Sequence, residues 1–542
     1  MINNKILVII PKYNNSVEPD YNYMFPLGLG YVVAALIHRN FQAEVLNLNH
    51  LRGTSADLIK ERLNKTKYSV VCTGGNNLIY RELKNIIHTV KEHHSSIPTV
   101  LGGHVITTEP EVTFNDIRPD YGVIGEADDM IGDLVSALLS GTRPDNIPGT
   151  IFEKAGKVIK VPFQVIADIN SVPFPVMDLL GYEEWRDNVP SNILLCAMVL
   201  ETPRIYPILG SRNCPFKCTF CYHYGKYQER SLDNIFAELN EAVQKYRINY
   251  VCFYDDCFSL KPERVKDFCH RMKKLRNSIA WDLQWAVQIT VKKVDEEMFK
   301  LLKESGCNAM AYGFESFNQA ILDSMQKPIT PAEIDNAFKL TLKYNFLLYA
   351  LFIFGDTAET VASYKETLDY WKKNAKGQIR LDMIRLFPGS AIYEKSVSKG
   401  LIKDKISFFE NDMPSEEPVN FTDNMSEFEY QVMRLEVTDA KRRFIKHVVP
   451  KSVRPSKRYF TVEVKCPFCG RTSKYDNVLL RSGFRFCLEF LCRHCLMRYT
   501  IMSRISWLWM HFNSLRYFLI KLVGIKYLWR FQFLFKRLFI GG

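Results

Sequence analysis

Short apolar runs alternate with amphipathic segments over two long stretches of this chain, and that alternation most constrains its fold. Residues 1–145 contain five such runs and residues 206–400 contain six. Apolar runs bounded by glycine and polar turns, with helix-like segments between them, are typical of buried parallel strands. The chain has 542 residues, of which 47% are hydrophobic, so it is long enough for several cores. We therefore predict two consecutive α/β domains.

The first stretch, residues 1–145, predicts a doubly wound sheet with helices on both faces. Ligands of such sheets bind at the carboxyl ends of the strands. Residues 146–205 contain several prolines and no steady period, which predicts a linker. The expected strands are 5–10, 43–48, 68–73, 98–103 and 121–125. The candidate ligand-contacting residues at their ends are Gly74, Gly75, Gly102, Gly103, Gly125 and Glu126.

The second stretch, residues 206–400, repeats a strand–helix unit six times, which predicts a full or partial parallel barrel. The active site of such a barrel lies at the carboxyl ends of its strands. Asp295 is the expected N-cap of one of the helices. The expected strands are 207–211, 249–254, 283–287, 308–313, 349–354 and 381–386. The expected remainder is a helical extension (401–458), a cysteine-rich module (459–500) and a basic aromatic tail (501–542).

A loop with three cysteines, GSRNCPFKCTFCYH (210–223), follows the first expected barrel strand. Thiolates of Cys214, Cys218 and Cys221 can hold three irons of a four-iron cluster and leave the fourth iron open. A structural zinc ion would require a fourth protein ligand, for which His223 is the nearby candidate. A zinc knuckle or unrelated buried thiols are the alternatives. The position and spacing of the cysteines favour the four-iron cluster.

This loop resembles that of the radical S-adenosylmethionine (SAM) superfamily, and four later segments are similar to the ends of that family's barrel strands, the first three of them to ends that lie at SAM. They are YDDCF (254–258), YGFES (312–316), FIFGDTAET (352–360) and LFPGS (386–390). The resemblance implies that a one-electron reductant, such as flavodoxin or ferredoxin, reduces the cluster. SAM is then cleaved to methionine and a 5′-deoxyadenosyl radical, which abstracts hydrogen from an unactivated C–H bond. The SAM-binding residues it implies are Asp255, Asp256, Glu315, Ser316, Gly355 and Glu359.

An α/β domain placed before such a barrel is similar to the cobalamin-binding, class B methylase-like branch of that family. FPLGLGYVVAAL (25–36), LGGH (101–104) and VIGEADD (123–129) fit this branch. The resemblance implies that Thr73, Glu126 and the strand-end glycines hold cobalamin. A fold that binds no cofactor is the alternative, since such glycines also serve tight turns.

Three departures from the family pattern stand in the sequence. The cobalt-ligating histidine of the D-x-H-x-x-G motif is missing after the first strand, and His50 with Gly53 supplies half of that motif after the second strand. We therefore expect no imidazole ligand to cobalt and interpret His50 as a surface loop residue. Gln288 stands where relatives often carry arginine, and Thr357 replaces a common proline. These two bear on contacts to substrate or carboxylate and not on the radical chemistry.

Two CxxC pairs near the C-terminus, separated by 22 residues, are typical of a zinc ribbon. An auxiliary iron–sulfur cluster is the alternative. The chain has 14 cysteines, and this usage suits a reducing compartment where thiolates bind metal. The predicted zinc ligands are Cys466, Cys469, Cys492 and Cys495.

The net charge of +12 is concentrated at one end, because residues 501–542 contain seven basic side chains and no acid. Aromatic residues alternate with these cations at roughly helical spacing, which favours a helix lying in a membrane interface. A helical pair packed on the barrel is the alternative. The N-terminal apolar run has five residues, and no uncharged apolar stretch reaches 18 residues. We therefore expect no signal peptide and no spanning helix. The predicted location is cytoplasmic, with peripheral contact to a membrane surface, and nucleic acid is not an expected partner.

The leading functional hypothesis is a cobalamin-dependent radical SAM enzyme that methylates an unactivated carbon of a lipid or natural-product-like substrate. A cobalamin-using radical SAM cyclase or rearrangement enzyme is a close alternative. An RNA-modifying radical SAM methylthiotransferase is another, although that family carries an N-terminal three-cysteine cluster and residues 1–145 here contain only Cys72. A membrane-surface zinc protein on a decayed barrel is the non-enzymatic alternative.

Overall fold

The computed structural model describes residues 4–258, 260–292, 294–375, 377–414, 419–456, 458–480 and 485–510. Two α/β units follow one another along the chain, and a long helix and a small β module complete it. The largest apolar core runs from the second α/β unit into the β module, and smaller cores lie on the two faces of the first unit. The prediction of two consecutive α/β domains is confirmed.

The first unit is a sheet of order β2-β1-β3-β4-β5-β6-β7, in which the first five strands are parallel. Helices α1 and α6 cover one face and α2 and α3 cover the other, as a doubly wound fold requires. The strands are β1 (Lys5–Ile10), β2 (Gln42–Asn47), β3 (Val70–Gly74), β4 (Thr99–Gly102), β5 (Tyr121–Val123), β6 (Thr150–Lys154) and β7 (Lys157–Lys160). The helices are α1 (Leu27–His38), α2 (Ser55–Lys65), α3 (Tyr80–His93), α4 (His104–Thr108), α5 (Pro110–Ile117) and α6 (Ile131–Ser140).

The sheet does not end at residue 145, where the sequence predicted that a linker begins. Strands β6 and β7 form a hairpin that continues the sheet in antiparallel sense from β5. Its turn places Ala155 and Gly156 at φ of 51° and 75°, and such turns usually carry Asn or Gly at the first of these positions. Because alanine stands in place of the usual Asn or Gly, the sequence did not indicate this turn. The rest of the 146–205 range includes α7 (Tyr182–Asn188) and short helical turns.

The second unit is a six-stranded parallel sheet of order β15-β14-β13-β12-β11-β8, which is the strand order of a partial barrel. All six predicted strands are present within a few residues of their expected bounds, and Asp295 caps α10 by accepting from the Met298 amide. The strands are β8 (Ile205–Ile208), β9 (Ser211–Arg212), β10 (Gln228–Glu229), β11 (Tyr250–Phe253), β12 (Gln284–Gln288), β13 (Cys307–Glu315), β14 (Leu347–Phe354) and β15 (Arg380–Met383). The helices are α8 (Leu232–Tyr246), α9 (Pro262–Asn277), α10 (Glu296–Glu304), α11 (Gln319–Ser324), α12 (Pro331–Lys343), α13 (Val361–Tyr370), α14 (Ala391–Ser398), α15 (Lys405–Ser407) and α16 (Glu427–Phe444).

The C-terminal module is larger than the predicted range of 459–500. Strand β16 pairs with β21 and strand β17 pairs with β18, so the module takes residues from the predicted helical extension and the first two residues of the predicted tail. Short strands among basic residues and prolines carry little periodicity, which is why the boundary was missed. The strands are β16 (His447–Val448), β17 (Ser452–Pro455), β18 (Phe460–Lys465), β19 (Thr472–Val478), β20 (Cys487–Leu491) and β21 (Arg498–Met502).

The module packs against the amino ends of the last two barrel strands. The buried Arg498 donates from Nη2 to the Leu348 carbonyl oxygen at 2.6 Å, and its backbone amide donates to Gln378 Oε1 at 2.7 Å. Arg380, the first residue of β15, pairs with Glu489 of the module. The active site of a barrel enzyme lies at the opposite, carboxyl ends of the strands. This contact therefore serves the stability of the fold.

The predicted aromatic tail lies mostly outside the described residues. Residues 504–510 form a helix on which Ile505 and Leu508 are more than half exposed. Within the described parts of the chain, no helix combines the length and the apolar character needed to cross a membrane.

Candidate active site

The three-cysteine loop leaves the carboxyl end of β8, where the sequence placed it. The Thr219 amide donates to the Met325 carbonyl at 3.0 Å, and the Ile392 amide donates to the Thr219 carbonyl at 3.1 Å. Tyr222 donates from its hydroxyl to the Thr107 carbonyl of the first unit at 3.2 Å. The loop is therefore fixed between the barrel and the N-terminal domain.

The thiols of this loop fit an iron–sulfur cluster better than a single ion. Desolvation raises the pKa of Cys218 to about 11 and that of Cys221 to about 12, and it also raises the pKa of Cys214. Thiolates gathered here need strong compensating positive charge, which iron supplies. Among the described residues, these three sulfurs do not all lie within 4.8 Å of one another, as ligands of one ion would. His223 Nε2 lies 3.1 Å from the Cys218 carbonyl oxygen.

Glu315, at the end of β13, is buried beside the loop and has a left-handed backbone with φ of 59°. Its Oε1 accepts from Lys327 Nζ at 3.0 Å. Burial lowers the pKa of Lys327, but Glu315 and the thiols of Cys218 and Cys221 outweigh this and hold it above its usual value. A Cβ at Gly313 would lie 2.2 Å from Glu315 Oε1, so the ion pair requires glycine beneath it. The sequence prediction missed Lys327 and Gly313.

The two aspartates after β11 differ in their surroundings. Asp255 is buried, and its Oδ1 accepts from the amide of Gly210, the first residue of the cysteine loop, at 2.7 Å. Burial raises the pKa of Asp255 to about 7, and its Oδ2 has no hydrogen-bond partner among the described residues. Asp256 instead lines the cavity described below, and its carbonyl oxygen accepts from Gln288 Nε2 at 2.8 Å. Asp255 therefore shapes the strand end, whereas Asp256 faces the cavity.

The remaining predicted SAM residues are buried and hold the strand ends together. Ser316 Oγ lies 3.1 Å from Thr367 Oγ1 and accepts from the Asn318 amide. Glu359 accepts from the Gly355 amide at 3.2 Å, and burial raises the pKa of this carboxyl to about 7. Gly355 has φ of 100°, which favours glycine. These contacts shape the fourth and fifth strand ends.

The N-terminal domain presents a glycine-lined cleft at the carboxyl ends of β3 and β4. A Cβ at Gly74 would lie 2.7 Å from the Gly102 oxygen, and one at Gly103 would lie 2.7 Å from the Gly75 oxygen. The two strand-end loops therefore touch backbone to backbone, which admits a large ligand above them. Thr73 also lines the cleft, but its hydroxyl donates to the Ile9 carbonyl at 2.9 Å.

Two further glycines border the cleft. Gly125 has φ of 83°, and a Cβ there would lie 2.9 Å from the Phe163 ring. Gly28, in the first turn of α1, lines the cleft, and a Cβ there would meet no protein atom within 4 Å. The prediction included the segment around Gly28 but not that residue as a ligand contact.

Charged residues connect the cleft to the cysteine loop. Arg212, two residues before Cys214, donates to both Asp128 oxygens at 2.8 and 3.0 Å and lies 3.7 Å from Glu126 Oε1. Both carboxylate oxygens of Glu126 are buried without a hydrogen-bond partner among the described residues, and burial raises its pKa. The unpaired carboxylate oxygens of Glu126 can accept hydrogen bonds from the amide groups at the rim of a corrin ring. Arg212 was not predicted from the sequence.

One cavity of about 460 Å³ joins these parts. From the N-terminal domain it is lined by the cleft glycines, His104 and Glu126, and from the barrel by Asn213, Tyr224 and Asp256. His104 makes edge contacts with Tyr222 of the cysteine loop and with Tyr224, directly after it, at 5.2 and 6.0 Å between ring centres. A ligand in the cleft therefore lies next to the loop of the predicted cluster.

His50 takes no part in this cavity. Its side chain is 7% exposed, and Nε2 lies 2.7 Å from the Tyr23 hydroxyl while Nδ1 lies 3.2 Å from Glu184. The interpretation of His50 as a surface loop residue is therefore wrong, because the helix α7 that follows the hairpin covers it. Burial lowers the pKa of this imidazole.

The four C-terminal cysteines form a separate site at the far end of the barrel. Their sulfurs all lie within 4.8 Å of one another, with Cys466 to Cys495 at 3.7 Å and Cys469 to Cys492 at 3.6 Å. A tetrahedron with zinc–sulfur bonds of about 2.3 Å places its sulfurs about 3.8 Å apart. The Phe468 amide donates to Cys466 Sγ at 3.4 Å. The geometry is compatible with one zinc ion.

Comparison with known families decides the identity of both domains. The Radical SAM superfamily model matches residues 208–370, and the B12 binding domain model matches residues 17–135. The chain is a radical SAM protein with a B12-binding domain. Such a protein uses a four-iron cluster, SAM and cobalamin, and the cysteines, buried carboxylates and glycine cleft described above fit these three groups.

Relatives of this radical SAM protein include methyltransferases and a cyclase. An uncharacterised methyltransferase of Pyrococcus horikoshii is 26% identical over 410 residues, which is 73% of this chain and 84% of the relative. The anaerobic magnesium-protoporphyrin IX monomethyl ester cyclase of Rubrivivax gelatinosus is 23% identical over 373 residues, 67% of this chain and 64% of the relative. The solved structure of the radical SAM methyltransferase TsrM of Kitasatospora setae has a TM-score of 0.60 at 18% identity. That match covers 73% of this chain and 75% of TsrM, and it shows a shared fold.

Proposed function

We propose that this protein is a cobalamin-dependent radical SAM C-methyltransferase that acts on an unactivated carbon of a lipid or natural-product-like substrate. The observation that carries the proposal is the cavity of about 460 Å³ that is lined by both the cobalamin cleft and the cysteine loop. Only with the two cofactor sites facing one space can a substrate carbon be activated and then methylated without leaving the protein. The methyltransferase relatives support the same assignment.

When bound, the cluster and SAM supply hydrogen abstraction from an unactivated carbon, and cobalamin supplies the methyl group. The chain's own part is positioning and exclusion of water. Glu315 and Lys327 fix a charged pair beside the cysteines, and Asp256 presents a carboxylate to the cavity. Arg212 holds the cysteine loop against the cobalamin cleft through Asp128.

A cobalamin-using radical SAM cyclase is the second candidate, favoured by the similarity to the anaerobic cyclase of Rubrivivax gelatinosus. The two functions differ in the fate of the methyl group. A methyltransferase incorporates the SAM methyl carbon into its product, whereas a cyclase closes a ring without doing so.

The test begins with anaerobic protein reconstituted with iron, sulfide and cobalamin. Under a reductant, 5′-deoxyadenosine release is measured together with transfer of methyl-labelled SAM carbon to candidate substrates. The triple variant Cys214→Ala, Cys218→Ala, Cys221→Ala should release none, while Cys487→Ala, which changes an exposed cysteine, should match the wild type. A folded wild-type protein without a four-iron signal or 5′-deoxyadenosine release would overturn the proposal, and release without methyl transfer would favour the cyclase.

We further propose a one-electron reductant, such as flavodoxin or ferredoxin, and peripheral contact with the inner face of the cell membrane. The membrane proposal is supported by the exposed Ile505, Trp507 and Leu508 on the helix at 504–510, together with the basic residues that follow it in the sequence. Flotation with vesicles containing phosphatidylglycerol tests it. Loss of residues 511–542 should abolish flotation, and equal flotation of the truncated and full chains would contradict the proposal.

A further inference from the structure

The cysteine loop is anchored in the N-terminal domain by the side chain of Arg212. Strands β9 and β10 pair in antiparallel sense, so residues 213–227, which carry the three cysteines, form a loop closed at its base. Arg212 is the last residue of β9. Its guanidinium donates to both Asp128 oxygens at 2.8 and 3.0 Å and lies 5.0 Å from the centre of the Tyr31 ring. Two separate segments of the N-terminal domain therefore hold an arginine that belongs to the barrel.

This arginine is buried together with two carboxylates. The side chains of Arg212, Asp128 and Glu126 are 12%, 7% and 6% exposed. Asp128 accepts from two N–H groups of the guanidinium, whereas Glu126 Oε1 lies 3.7 Å from Nη1, beyond hydrogen-bond distance. In the described part of the chain, neither oxygen of Glu126 has a hydrogen-bond partner. A buried carboxylate in this state raises the free energy of the folded protein until a donor reaches it.

Arg212, Asp128 and Glu126 also form part of the wall of the cavity of about 460 Å³. The glycines of the cobalamin cleft line the same cavity, so a ligand bound in the cleft lies beside Glu126 and Arg212. Amide groups of such a ligand can donate to Glu126 and supply the missing hydrogen bonds. The charged cluster that anchors the cysteine loop is therefore also a cluster that a ligand in the cleft contacts.

Two neutral hydrogen bonds also join this loop and its base to residues that precede the barrel. Tyr222 donates to the Thr107 carbonyl at 3.2 Å, and Gln228 Nε2 donates to the Ile166 carbonyl at 2.7 Å. A two-pronged bond between ions is stronger than a neutral hydrogen bond. Removing Arg212 should therefore release the loop more than removing either of these two contacts.

We propose that Arg212 is a positioning residue that couples the two cofactor sites, so that each site binds its group more tightly when the other is filled. The loop exchanges between the docked arrangement described above and one in which Arg212 has left Asp128. Cluster assembly orders the loop and favours the docked arrangement, because metal binding is linked to the ordering of its ligands. The wall of the cleft is then already in place, so cobalamin binding no longer includes the free-energy cost of ordering it. The coupling is reciprocal, because it acts on binding free energies.

The test compares four full-length proteins, in each of which the dissociation constant of hydroxocobalamin is measured by anaerobic absorbance titration. They are the reconstituted wild type, the cluster-free triple variant (Cys214→Ala, Cys218→Ala, Cys221→Ala), reconstituted Arg212→Met, and the combination of all four substitutions. We expect the triple variant to bind cobalamin about tenfold more weakly than the wild type, which is within the usual range for coupled sites. Arg212→Met should show the same loss although it assembles the cluster, and the combination should show no further loss.

Three outcomes would overturn the proposal. Equal affinity in the wild type and the triple variant would show that the two sites are independent. Wild-type affinity in reconstituted Arg212→Met would assign the coupling to another contact. Equal losses from Arg212→Met in the presence and absence of the three cysteines would show that this arginine serves only the wall of the cleft.

A second variant changes the same ion pair from the other domain and keeps the test decisive if Arg212→Met does not fold. Asp128→Asn removes the charge and keeps the shape of the side chain, so it should weaken cobalamin binding in the reconstituted protein and not in the cluster-free protein. The matched control is Arg52→Met, which removes a 77% exposed arginine of the N-terminal domain paired with Glu18 and should bind as the wild type does. Iron content and circular dichroism verify that each reconstituted variant is loaded and folded.

The coupling concerns the two cofactors and not the substrate, so it goes beyond the proposed function and applies to a methyltransferase and a cyclase alike. None of these measurements requires turnover, and the two proposals therefore fail separately. A protein that shows the coupling but transfers no methyl group retains this inference and loses the proposed function. A protein that transfers the methyl group without the coupling retains the proposed function and loses this inference.

Discussion

Lys327 Nζ lies 3.0 Å from Glu315 Oε1 in a buried position next to the thiols of Cys218 and Cys221. The side chains of both partners are at most 15% exposed. Glu315 has a left-handed backbone, and Gly313 leaves the space that the pair occupies. Strained backbone of this kind persists at functional sites where the surroundings hold it in place. The pair therefore sets the position of the carboxylate relative to the cysteine loop.

Replacing Lys327 by Met should impair SAM cleavage while the cluster still assembles. The substitution leaves Glu315 buried without its cation, and breaking a buried pair costs about 3–5 kcal/mol. We expect 5′-deoxyadenosine release to fall at least about tenfold, with iron content close to that of the wild type. The matched control is Lys343→Met, which breaks an exposed pair with Glu296 and should keep full activity. Full activity in Lys327→Met would show that the pair has no role in the site.

Gly103→Ala should weaken cobalamin binding without affecting the cluster. The new Cβ would lie 2.7 Å from the Gly75 oxygen and force the two strand-end loops apart. We expect at least about a tenfold loss of cobalamin affinity, measured by absorbance titration of the apoprotein. Gly400→Ala is the control, because Gly400 also has positive φ but its Cβ would meet no atom within 4 Å. Equal loss in both variants would assign the effect to backbone strain rather than to crowding in the cleft.

Much of the site could be predicted from the sequence because its residues lie at the ends of apolar strands. Cys214, Asp256 and Gly102 each follow such a run, and parallel strands bring their carboxyl ends to one edge. Lys327 carried no such signal, since it follows α11 and reaches Glu315 only through tertiary packing. Arg212 lies within the cysteine motif, but its partner Asp128 belongs to the other domain, so the ion pair could not be predicted.

Boundaries and burial were less predictable than strand positions. The hairpin of β6 and β7 was missed because Ala155 takes a turn conformation usually filled by Asn or Gly. His50 was placed on the surface because its cover, Glu184 and Tyr23, comes from segments remote in sequence. Local pattern carries no information about such contacts.

Glu359→Gln should remove part of the pH dependence of stability. Burial raises the pKa of Glu359 to about 7 from an ordinary value of 4.5. Between these values the folded protein keeps a proton that the unfolded chain has lost, so stability falls as the pH rises from about 5 to about 8. The contribution lost is about 3 kcal/mol, at about 1.4 kcal/mol per pKa unit.

Thermal unfolding of the wild type and Glu359→Gln, measured in parallel at several pH values, checks this. The melting temperature of the wild type minus that of Glu359→Gln should decrease as the pH rises toward 8. Glu296→Gln serves as the control, because Lys343 holds the pKa of that carboxyl below its usual value and it does not titrate in this range. A wild-type advantage that grows with pH would contradict the assignment.

Cys466→Ser should lower stability and leave the radical site assembled. The substitution removes one of four sulfurs that lie within 4.8 Å of one another, and metal binding at such sites contributes directly to folding. We expect the metal content to fall by about one zinc per chain and the melting temperature to fall by several degrees. The iron content and the four-iron signal should be unchanged. Loss of iron in place of zinc would identify an auxiliary cluster.

The contact between Arg498 and the Leu348 carbonyl has a consequence for synthesis of the chain. The two residues are 150 positions apart, and the barrel strand is made first. A ribosome that has released the last barrel strand has not yet made the arginine that covers its amino end. The apolar core at the amino end of the nascent barrel therefore stays exposed until the module has been synthesised. A chain that ends before residue 498 leaves this core exposed and prone to aggregation.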